Sequence, residues 1–155
     1  MKISIIGSGV VGKAVGIGLH RYGYDIIFHD IDDIKLKKLK DEGYRTTDNV
    51  IDAVVNSDIS FICVPTPTVN HNMDLSYLKE ASVNLAKALR EKNNYHLVVV
   101  KSTVLPFTTR TKIIPLLEKY SQLKAGEDFG VCVNPEFLRQ ASALKDFLNP
   151  SRIVI

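Results

Sequence analysis

A short apolar segment at the start of the chain runs directly into the glycine-spaced segment Gly7–Gly12. The apolar segment predicts a buried strand, and the helical pattern over Val10–Tyr22 predicts that a helix follows at once. In such a strand–loop–helix unit, Gly7 allows a tight turn, Gly9 lets the backbone approach a phosphate group, and Gly12 lets the helix pack closely on the strand. The free N–H groups of the first helical turn face the loop, so the pattern predicts a site for the pyrophosphate of a dinucleotide.

A second predicted strand, Asp25–Asp30, ends in a carboxylate about twenty residues beyond the glycines. A carboxylate at this place accepts hydrogen bonds from an adenosine ribose, and it favours NAD over NADP because it repels a 2′-phosphate. Lys35 lies five residues further on, where it either reaches the adenosine side of a dinucleotide or is a solvated lysine of a polar helix. The alternative is another α/β unit, in which the glycines only tighten a turn and Asp30 caps the next helix.

The composition indicates one soluble globular domain. The chain has 155 residues, of which 45% are hydrophobic and 24% charged, and no apolar run reaches the length of a membrane span. The apolar start is too short for a signal peptide, so we expect a cytoplasmic location. The net charge of +3 is small and the basic residues are interleaved with acidic ones, which argues against a nucleic-acid site. Cys63 and Cys132 lie in apolar runs, as buried reduced thiols do, and the scattered histidines predict no metal site.

Strands and helices alternate along the chain. The alternation predicts an α/β fold with a doubly wound, mainly parallel Rossmann-type sheet in a single domain. Beyond the first unit we predict strands over Ile59–Val64, His96–Val100, Phe129–Val133 and, at the end of the chain, Arg152–Ile155. We predict helices over Asp33–Glu42 and Asn49–Asn56, a long helix that Asp74 or Ser76 caps and that runs to about Lys92, and further helices from about Pro106 through Leu117 and from near Glu136 to about Phe147. Asn70–Asp74 is expected to be an exposed loop.

The unusual loops all follow predicted strands. Pro65–Thr68 must leave the sheet as a stiff loop, because proline cannot continue a central strand. Ser102 and Thr103 follow the next strand, and Asn134–Glu136 follows the last central one. Because the carboxyl ends of parallel strands share one edge, we expect these loops to meet the glycine loop along one rim. Each has a simpler interpretation: Pro65–Thr68 as a rigid connection, and Glu136 as a first-turn carboxylate that favours the helix dipole.

Four segments together resemble the NAD-binding domain of the UDP-glucose/GDP-mannose dehydrogenase family: Gly7–Gly12, Val64–Thr68, Lys101–Val104 and Asn134–Arg139, with Asp146–Pro150 and Arg152–Ile155 after them. The resemblance covers essentially the whole chain but under half of a usual family member, and it is most like the members that oxidise UDP-glucose. It implies oxidation of the C6 alcohol of UDP-glucose, or of a related nucleotide sugar, to the uronic acid. That reaction, a step of polysaccharide biosynthesis, uses two NAD and passes through a thioester on a cysteine.

The resemblance also implies a role for each matching residue. Catalytic roles fall to Thr103, which would position a water, and to Glu136, which would act as general acid and base in thioester hydrolysis. Nucleotide-sugar contacts fall to Glu136, Phe137, Leu138 and Arg139. Cofactor contacts fall to Gly7, Ser8, Gly9, Val10, Val11, Gly12, Asp30, Lys35, Val64, Pro65, Thr66, Pro67, Thr68, Ser102, Thr103, Val104 and Gln140.

Two departures from the family pattern limit this assignment. The family usually has a glutamate where Gln140 stands, and the neutral amide still forms hydrogen bonds but does not titrate. The family's nucleophilic cysteine and active-site lysine belong to a central helical domain and a C-terminal nucleotide-sugar domain, which we expect to be absent from residues 1–155. Full-length members dimerise through a central helix that this chain lacks, so its own oligomeric state stays open. The alternative function is a free-standing NAD-binding or regulatory protein. A 6-phosphogluconate or 3-hydroxyacyl-CoA type of dehydrogenase is disfavoured, because it lacks the loops at Lys101 and Asn134.

Overall fold

A computed structural model describes residues 1–155 as alternating strands and helices. The strands are β1 (Lys2–Ile6), β2 (Asp25–His29), β3 (Arg45–Thr47), β4 (Ile59–Ile62), β5 (Thr68–Val69), β6 (Asn72–Met73), β7 (His96–Val100) and β8 (Phe129–Val133). The α-helices are α1 (Val10–Arg21), α2 (Asp33–Asp41), α3 (Val50–Val55), α4 (Ser76–Leu89), α5 (Ile114–Ser121) and α6 (Ala143–Leu148). A π-helix, Thr109–Ile113, precedes α5, and a 3-10 turn, Gln140–Ser142, precedes α6.

Six of the strands form one parallel sheet with the order β3-β2-β1-β4-β7-β8. The chain builds outward from β1 to β3, then returns across β1 and builds outward in the other direction from β4 to β8. This reversal between β1 and β4 is the place where open α/β sheets bind their ligands, outside the carboxyl ends of the strands. The predicted single-domain, doubly wound Rossmann-type sheet is therefore confirmed.

Both faces of the sheet are covered by helices. On one face α3, α4 and α5 pack together over apolar side chains of β1, β4 and β7, such as Ile6, Ile62 and Val98. On the other face α1 packs on β2 and against α6, over a second cluster that contains Phe28 and Cys63. Strands buried on both faces are continuously apolar, which is why the sequence pattern identifies them well.

A hairpin occupies the segment that was predicted to be an exposed loop. β5 and β6 pair antiparallel around a two-residue turn at Asn70 and His71, whose φ angles are +48° and +62°. Two consecutive positive φ angles are typical of a type I′ hairpin turn. Asn-His lacks the glycine that normally signals this turn, so the loop prediction was wrong.

The predicted helix start near Glu136 was also wrong, because helical structure begins only at Gln140. Pro135 disfavours the helical conformation at the residue before it. The Glu136 carboxylate then accepts a hydrogen bond from the N–H of Leu138 at 2.6 Å, which stabilises a local turn instead of a helical one. Glu136 is thus not a first-turn helical carboxylate.

The chain end does not form the strand predicted for Arg152–Ile155. Those residues are exposed and pair with no strand; the Asn134 side-chain amide donates to the carbonyl of Val154 at 2.7 Å. β-propensity largely reflects packing on a sheet, and this segment lies beside the loop after β8 instead of along a strand edge. The helix predicted after Pro106 is present, but its first turns form the π-helix. A regular α-helix would bring the ring of Pro115 against the carbonyl of Thr111, and the wider turns relieve that contact.

Candidate cofactor site

The glycine loop is closely packed behind and open in front. Gly7 has a φ of +95°, a conformation that side chains rarely adopt. A Cβ on Gly12 would lie 1.9 Å from the carbonyl oxygen of Gly7, so only glycine allows α1 to start this near to the loop. A Cβ on Gly9 would meet no atom within 4 Å. The free space in front of Gly9 lies at the N-terminus of α1, where an anion is favoured.

Asp30 is tied to this loop by its carboxylate. Its Oδ2 accepts from the N–H of Ser8 at 2.7 Å, and its Oδ1 accepts from the N–H of Asp32 at 3.0 Å. The side chain is only 6% exposed, and Lys35 Nζ lies 3.3 Å from Oδ1. Helix α2 is capped by Asp32, not by Asp30. The carboxylate has about four acceptor positions, and two of them are taken only by long bonds from the exposed Lys35, at 3.3 and 3.4 Å, which a ribose hydroxyl would replace.

The loops after β4 and β7 are joined to each other by short hydrogen bonds. Ser102 Oγ donates to the carbonyl of Val64 at 2.6 Å, and Thr66 Oγ1 donates to the carbonyl of Thr103 at 2.7 Å. These bonds fix the stiff loop at Pro65 against the loop at Thr103. The two loops thus form a preorganised wall beside the crevice.

Lys101 joins the ends of β7 and β8. Its Nζ donates to Asn134 Oδ1 at 2.9 Å, and the residue is 6% exposed. Burial lowers the pKa of the Lys101 ammonium, and the neighbouring Glu136 carboxylate acts in the opposite direction. Burial raises the pKa of the nearby Cys63 thiol to about 12, so this cysteine is an unreactive, neutral thiol. Cys132 is half-buried, and burial raises its pKa also.

A cavity of about 560 Å³ runs along the carboxyl ends of β2, β1, β4 and β7. It brings together most of the predicted site residues, although 129 positions separate the first, Gly7, from the last, Glu136. Those that line it are Gly7, Gly9, Val10, Val11, Asp30, Lys35, Val64, Pro65, Thr66, Ser102, Thr103 and Glu136. We call this space the cofactor cavity.

Six of the predicted cofactor contacts do not line this cavity. Ser8 and Gly12 act behind it, Ser8 through its bond to Asp30 and Gly12 through its packing on Gly7. Val104 packs against the apolar cluster under α4. The remaining three, which are exposed, are Pro67, Thr68 and Gln140.

A second cavity, of about 700 Å³, lies between the loop after β8, α6 and the end of the chain. Phe137, Leu138 and Arg139, the predicted nucleotide-sugar contacts, line this second cavity and not the first. Arg139 forms a two-point ion pair with Asp146 at 2.7 and 3.0 Å, which holds the pKa of that carboxyl well below its usual range. Lys101 lines both cavities and separates them.

Several residues of the cofactor cavity were missed at the sequence level. Four of them, Tyr77, Glu80, Ala81 and Asn84, lie on α4 at positions i, i+3, i+4 and i+7. That spacing defines one helical face, but the adjacent apolar stripe of α4 was the stronger signal. His29 also lines the cavity, with its buried Nδ1 unpaired, and burial lowers its pKa.

No three His, Cys, Asp or Glu side chains come together in a group that could hold a metal ion. None of the helices has both the length and the apolar character needed to cross a bilayer.

Comparison with known proteins identifies the domain. Residues 41–155 match the model of the UDP-glucose/GDP-mannose dehydrogenase family, NAD binding domain. The GDP-mannose 6-dehydrogenase of Azotobacter vinelandii is 40% identical over the whole of this chain and 40% of its own length. The UDP-glucose 6-dehydrogenase of Haloferax volcanii is 36% identical with the same coverage.

A solved structure agrees with these relatives. The ternary complex of GDP-mannose dehydrogenase from Pseudomonas aeruginosa superposes with a TM-score of 0.89 at 39% identity, over 95% of this chain and 38% of that one. The present chain spans about two fifths of the length of these proteins. The cofactor is NAD: the match to the family model agrees with the open glycine loop and with the buried carboxylate after β2. The chain belongs to the UDP-glucose/GDP-mannose dehydrogenase family and is its NAD-binding domain.

Proposed function

We propose that this chain is the cofactor-binding part of a nucleotide-sugar 6-dehydrogenase. The hydrogen bond from the Ser8 N–H to Asp30 carries the proposal, because it fixes the phosphate loop and the ribose carboxylate as one unit. The same cavity continues from that unit to Thr103 and Glu136. A dinucleotide bound across the reversal of the sheet would extend from the first group to the second.

The residues of the cavity divide into two ends. The N–H groups of the glycine loop would hold the pyrophosphate, and Asp30, with Lys35 beside it, would hold the adenosine ribose. The wall formed by Val64–Thr66 and Ser102–Thr103 would enclose the nicotinamide half. When bound, NAD supplies a hydride acceptor at that end.

Glu136 is the residue that we assign to proton transfer. It is half-buried, lines the cofactor cavity, and its Oε2 is directed by the N–H of Leu138 at 2.6 Å. A carboxylate so placed takes a proton from a water and returns it, as thioester hydrolysis requires. Thr103 would position that water. Phe137–Arg139 would contact the nucleotide sugar from the second cavity.

The substrate is a nucleotide sugar whose C6 alcohol is oxidised to the acid. The sequence motifs favour UDP-glucose, whereas the relatives named above include a GDP-mannose enzyme of slightly higher identity than the UDP-glucose enzyme. The groups that distinguish the two bases would come largely from parts of the protein beyond residues 1–155. We therefore propose UDP-glucose and GDP-mannose as the two substrates to compare in the full-length protein.

A second function, NAD binding or regulation without catalysis, agrees with the state of the two cysteines. The thiol of Cys63 is buried, with a pKa raised to about 12, and Cys132 lies on β8 with a raised pKa, so neither resembles an activated nucleophile. Residues 1–155 would then bind NAD without oxidising a sugar. Turnover of either nucleotide sugar by this chain alone would contradict the assignment of the nucleophile to another domain.

Ligand-induced stabilisation tests the cofactor site. A ligand at about a hundred times its Kd adds about 2.7 kcal/mol to the free energy of unfolding, which raises the Tm by several degrees for a domain of this size. Gly9→Ala should leave the Tm of the free protein near that of the wild type, because its Cβ meets no atom, but should reduce the shift that NAD⁺ causes. No shift of the wild type at millimolar NAD⁺ would refute the site.

The choice between NAD and NADP tests Asp30 itself. Asp30→Asn removes the charge and retains one acceptor oxygen, which serves the N–H of Ser8, while the N–H of Asp32 loses its acceptor. The ratio of the Kd of NADP⁺ to that of NAD⁺ should therefore fall in this variant. Lys13→Met, an exposed cation that pairs with Glu42 on the surface, serves as the control and should leave the ratio unchanged. Equal losses of both cofactors in Asp30→Asn would contradict the ribose assignment.

A further inference from the structure

Lys101 is a buried cation without an ion-pair partner, at the junction of the two cavities. Its one hydrogen bond from Nζ is to the neutral amide oxygen of Asn134 at 2.9 Å, and no carboxylate lies within 4.0 Å of Nζ. Burying an ammonium is costly unless a counter-charge accompanies it. A charged group retained in such surroundings is a candidate for a functional role.

The groups around Lys101 compensate its charge only weakly. They are Cys63 after β4, Cys132 on β8 and Glu136 after β8. Burial raises the pKa of both thiols, so both are neutral at physiological pH. Glu136 is the one anion among them, and it lies beyond ion-pair distance.

The position of Lys101 along the cavity decides which part of a dinucleotide it would meet. Asp30 marks the adenosine end, after β2, and the glycine loop marks the pyrophosphate, after β1. Lys101 follows β7, two strands beyond β1 on the opposite side of the sheet reversal. The nicotinamide end of a dinucleotide that spans the reversal therefore lies on the side of Lys101. This step rests on the proposed function.

We propose that Lys101 makes the domain bind the reduced cofactor in preference to the oxidised one, and so makes bound NAD⁺ a better hydride acceptor. The oxidised nicotinamide ring is positively charged. Oxidation of an alcohol transfers a hydride, two electrons and one proton, from carbon to that ring and releases the hydroxyl proton to solvent. The reduced ring is neutral, so a nearby ammonium repels only the oxidised form.

The size of the effect follows from Coulomb's law. At an effective dielectric constant of about 20, a unit charge at about 12 Å changes the relative affinity of the two forms about tenfold. Lys101 lines the cavity itself, so we expect at least this ratio. Removing the charge should therefore raise the affinity for NAD⁺ relative to NADH by about tenfold or more.

The test compares dissociation constants for NAD⁺, NADH and ADP-ribose, measured by titration calorimetry on the 155-residue chain. Lys101→Met should lower the ratio of the Kd of NAD⁺ to the Kd of NADH. It should leave the affinity for ADP-ribose unchanged, because ADP-ribose lacks nicotinamide. Lys101→Arg retains the charge and should retain the ratio. Lys35→Met, at the adenosine end, should change the dissociation constants of all three ligands by a similar factor and leave the ratio of the Kd of NAD⁺ to that of NADH unchanged.

A second variant keeps the test decisive if Lys101→Met fails to fold. Asn134→Asp places a carboxylate next to Nζ and neutralises the local charge, so it should shift the ratio in the same direction. An unchanged ratio in whichever of the two variants folds, with wild-type protein that binds NAD⁺ and NADH, would overturn the role of Lys101 and leave the proposed function intact. Failure of the wild type to bind either form would instead overturn the proposed function.

Discussion

The buried histidine at the start of β7 should make this domain lose stability in mild acid. His96 is 1% exposed; its Nε2 lies 2.8 Å from Ser60 Oγ, and its Nδ1 has no partner. Burial, assisted by the charge of Lys92 and opposed by Asp58, lowers the pKa of His96 to about 4. The folded protein therefore holds this imidazole neutral over a range in which the unfolded chain protonates it.

The sign and the size follow from proton linkage. Above the ordinary histidine pKa of 6.5 both states are neutral, and stability does not depend on this group. Between that value and about pH 4 only the unfolded state binds the proton, so each pH unit removes about 1.4 kcal/mol from the free energy of unfolding. The loss attributable to His96 is about 2 kcal/mol by about pH 5 and about 3 kcal/mol by about pH 4. Domains of this kind have only about 5–15 kcal/mol in total.

Urea unfolding followed by circular dichroism measures this loss. His96→Gln keeps a polar group near Ser60 but does not titrate, so between about pH 7 and pH 5 it should lose about 2 kcal/mol less than the wild type. His29, whose pKa burial also lowers, contributes equally to both proteins and cancels in the comparison. His71→Gln, on the exposed hairpin turn, is the matched control and should keep the wild-type pH dependence. If His96→Gln and the wild type lose the same free energy of unfolding between about pH 7 and pH 5, the assignment of the loss to His96 is refuted.

Two further changes probe the backbone. Gly12→Ala should lower the free energy of unfolding by about 1–3 kcal/mol and weaken NAD⁺ binding. The reason is that its Cβ would lie 1.9 Å from the Gly7 carbonyl oxygen. An unchanged urea midpoint and an unchanged Kd for NAD⁺ would contradict the close packing. Phe107→Gly should raise the urea midpoint, because a 75% exposed phenylalanine with a φ of +67° is strained by about 1 kcal/mol; an unchanged or lower midpoint would show that the strain is absent.

Local signals in the sequence predicted the sheet and the glycine loop. Phe129–Val133 and His96–Val100 have the predicted bounds, and α1 ends one residue before the predicted end. A continuous apolar run between turn residues is a local property, as is the spacing of the glycines. The gathering of strand-end loops at one edge follows from parallel pairing alone.

Contacts that depend on strand register could not be predicted from the sequence. Ser4, Ser60 and His96 form a buried hydrogen-bonded network because β1, β4 and β7 lie side by side with Ser4 opposite Ser60. Nothing within a window of the sequence relates these three positions. Lys101 was visible as part of a motif, but its isolation from any counter-charge emerged only with the packing of β8. The turn at Asn70 was missed because its residues lack the usual turn chemistry.

The hydrogen bond between Ser8 and Asp30 makes the two halves of the cofactor site thermodynamically inseparable. A change to the carboxylate releases the N–H of the glycine loop, and a ligand that orders the loop also orders the carboxylate. Adenosine and inorganic phosphate, added as separate fragments, should therefore bind cooperatively, each raising the affinity of the domain for the other.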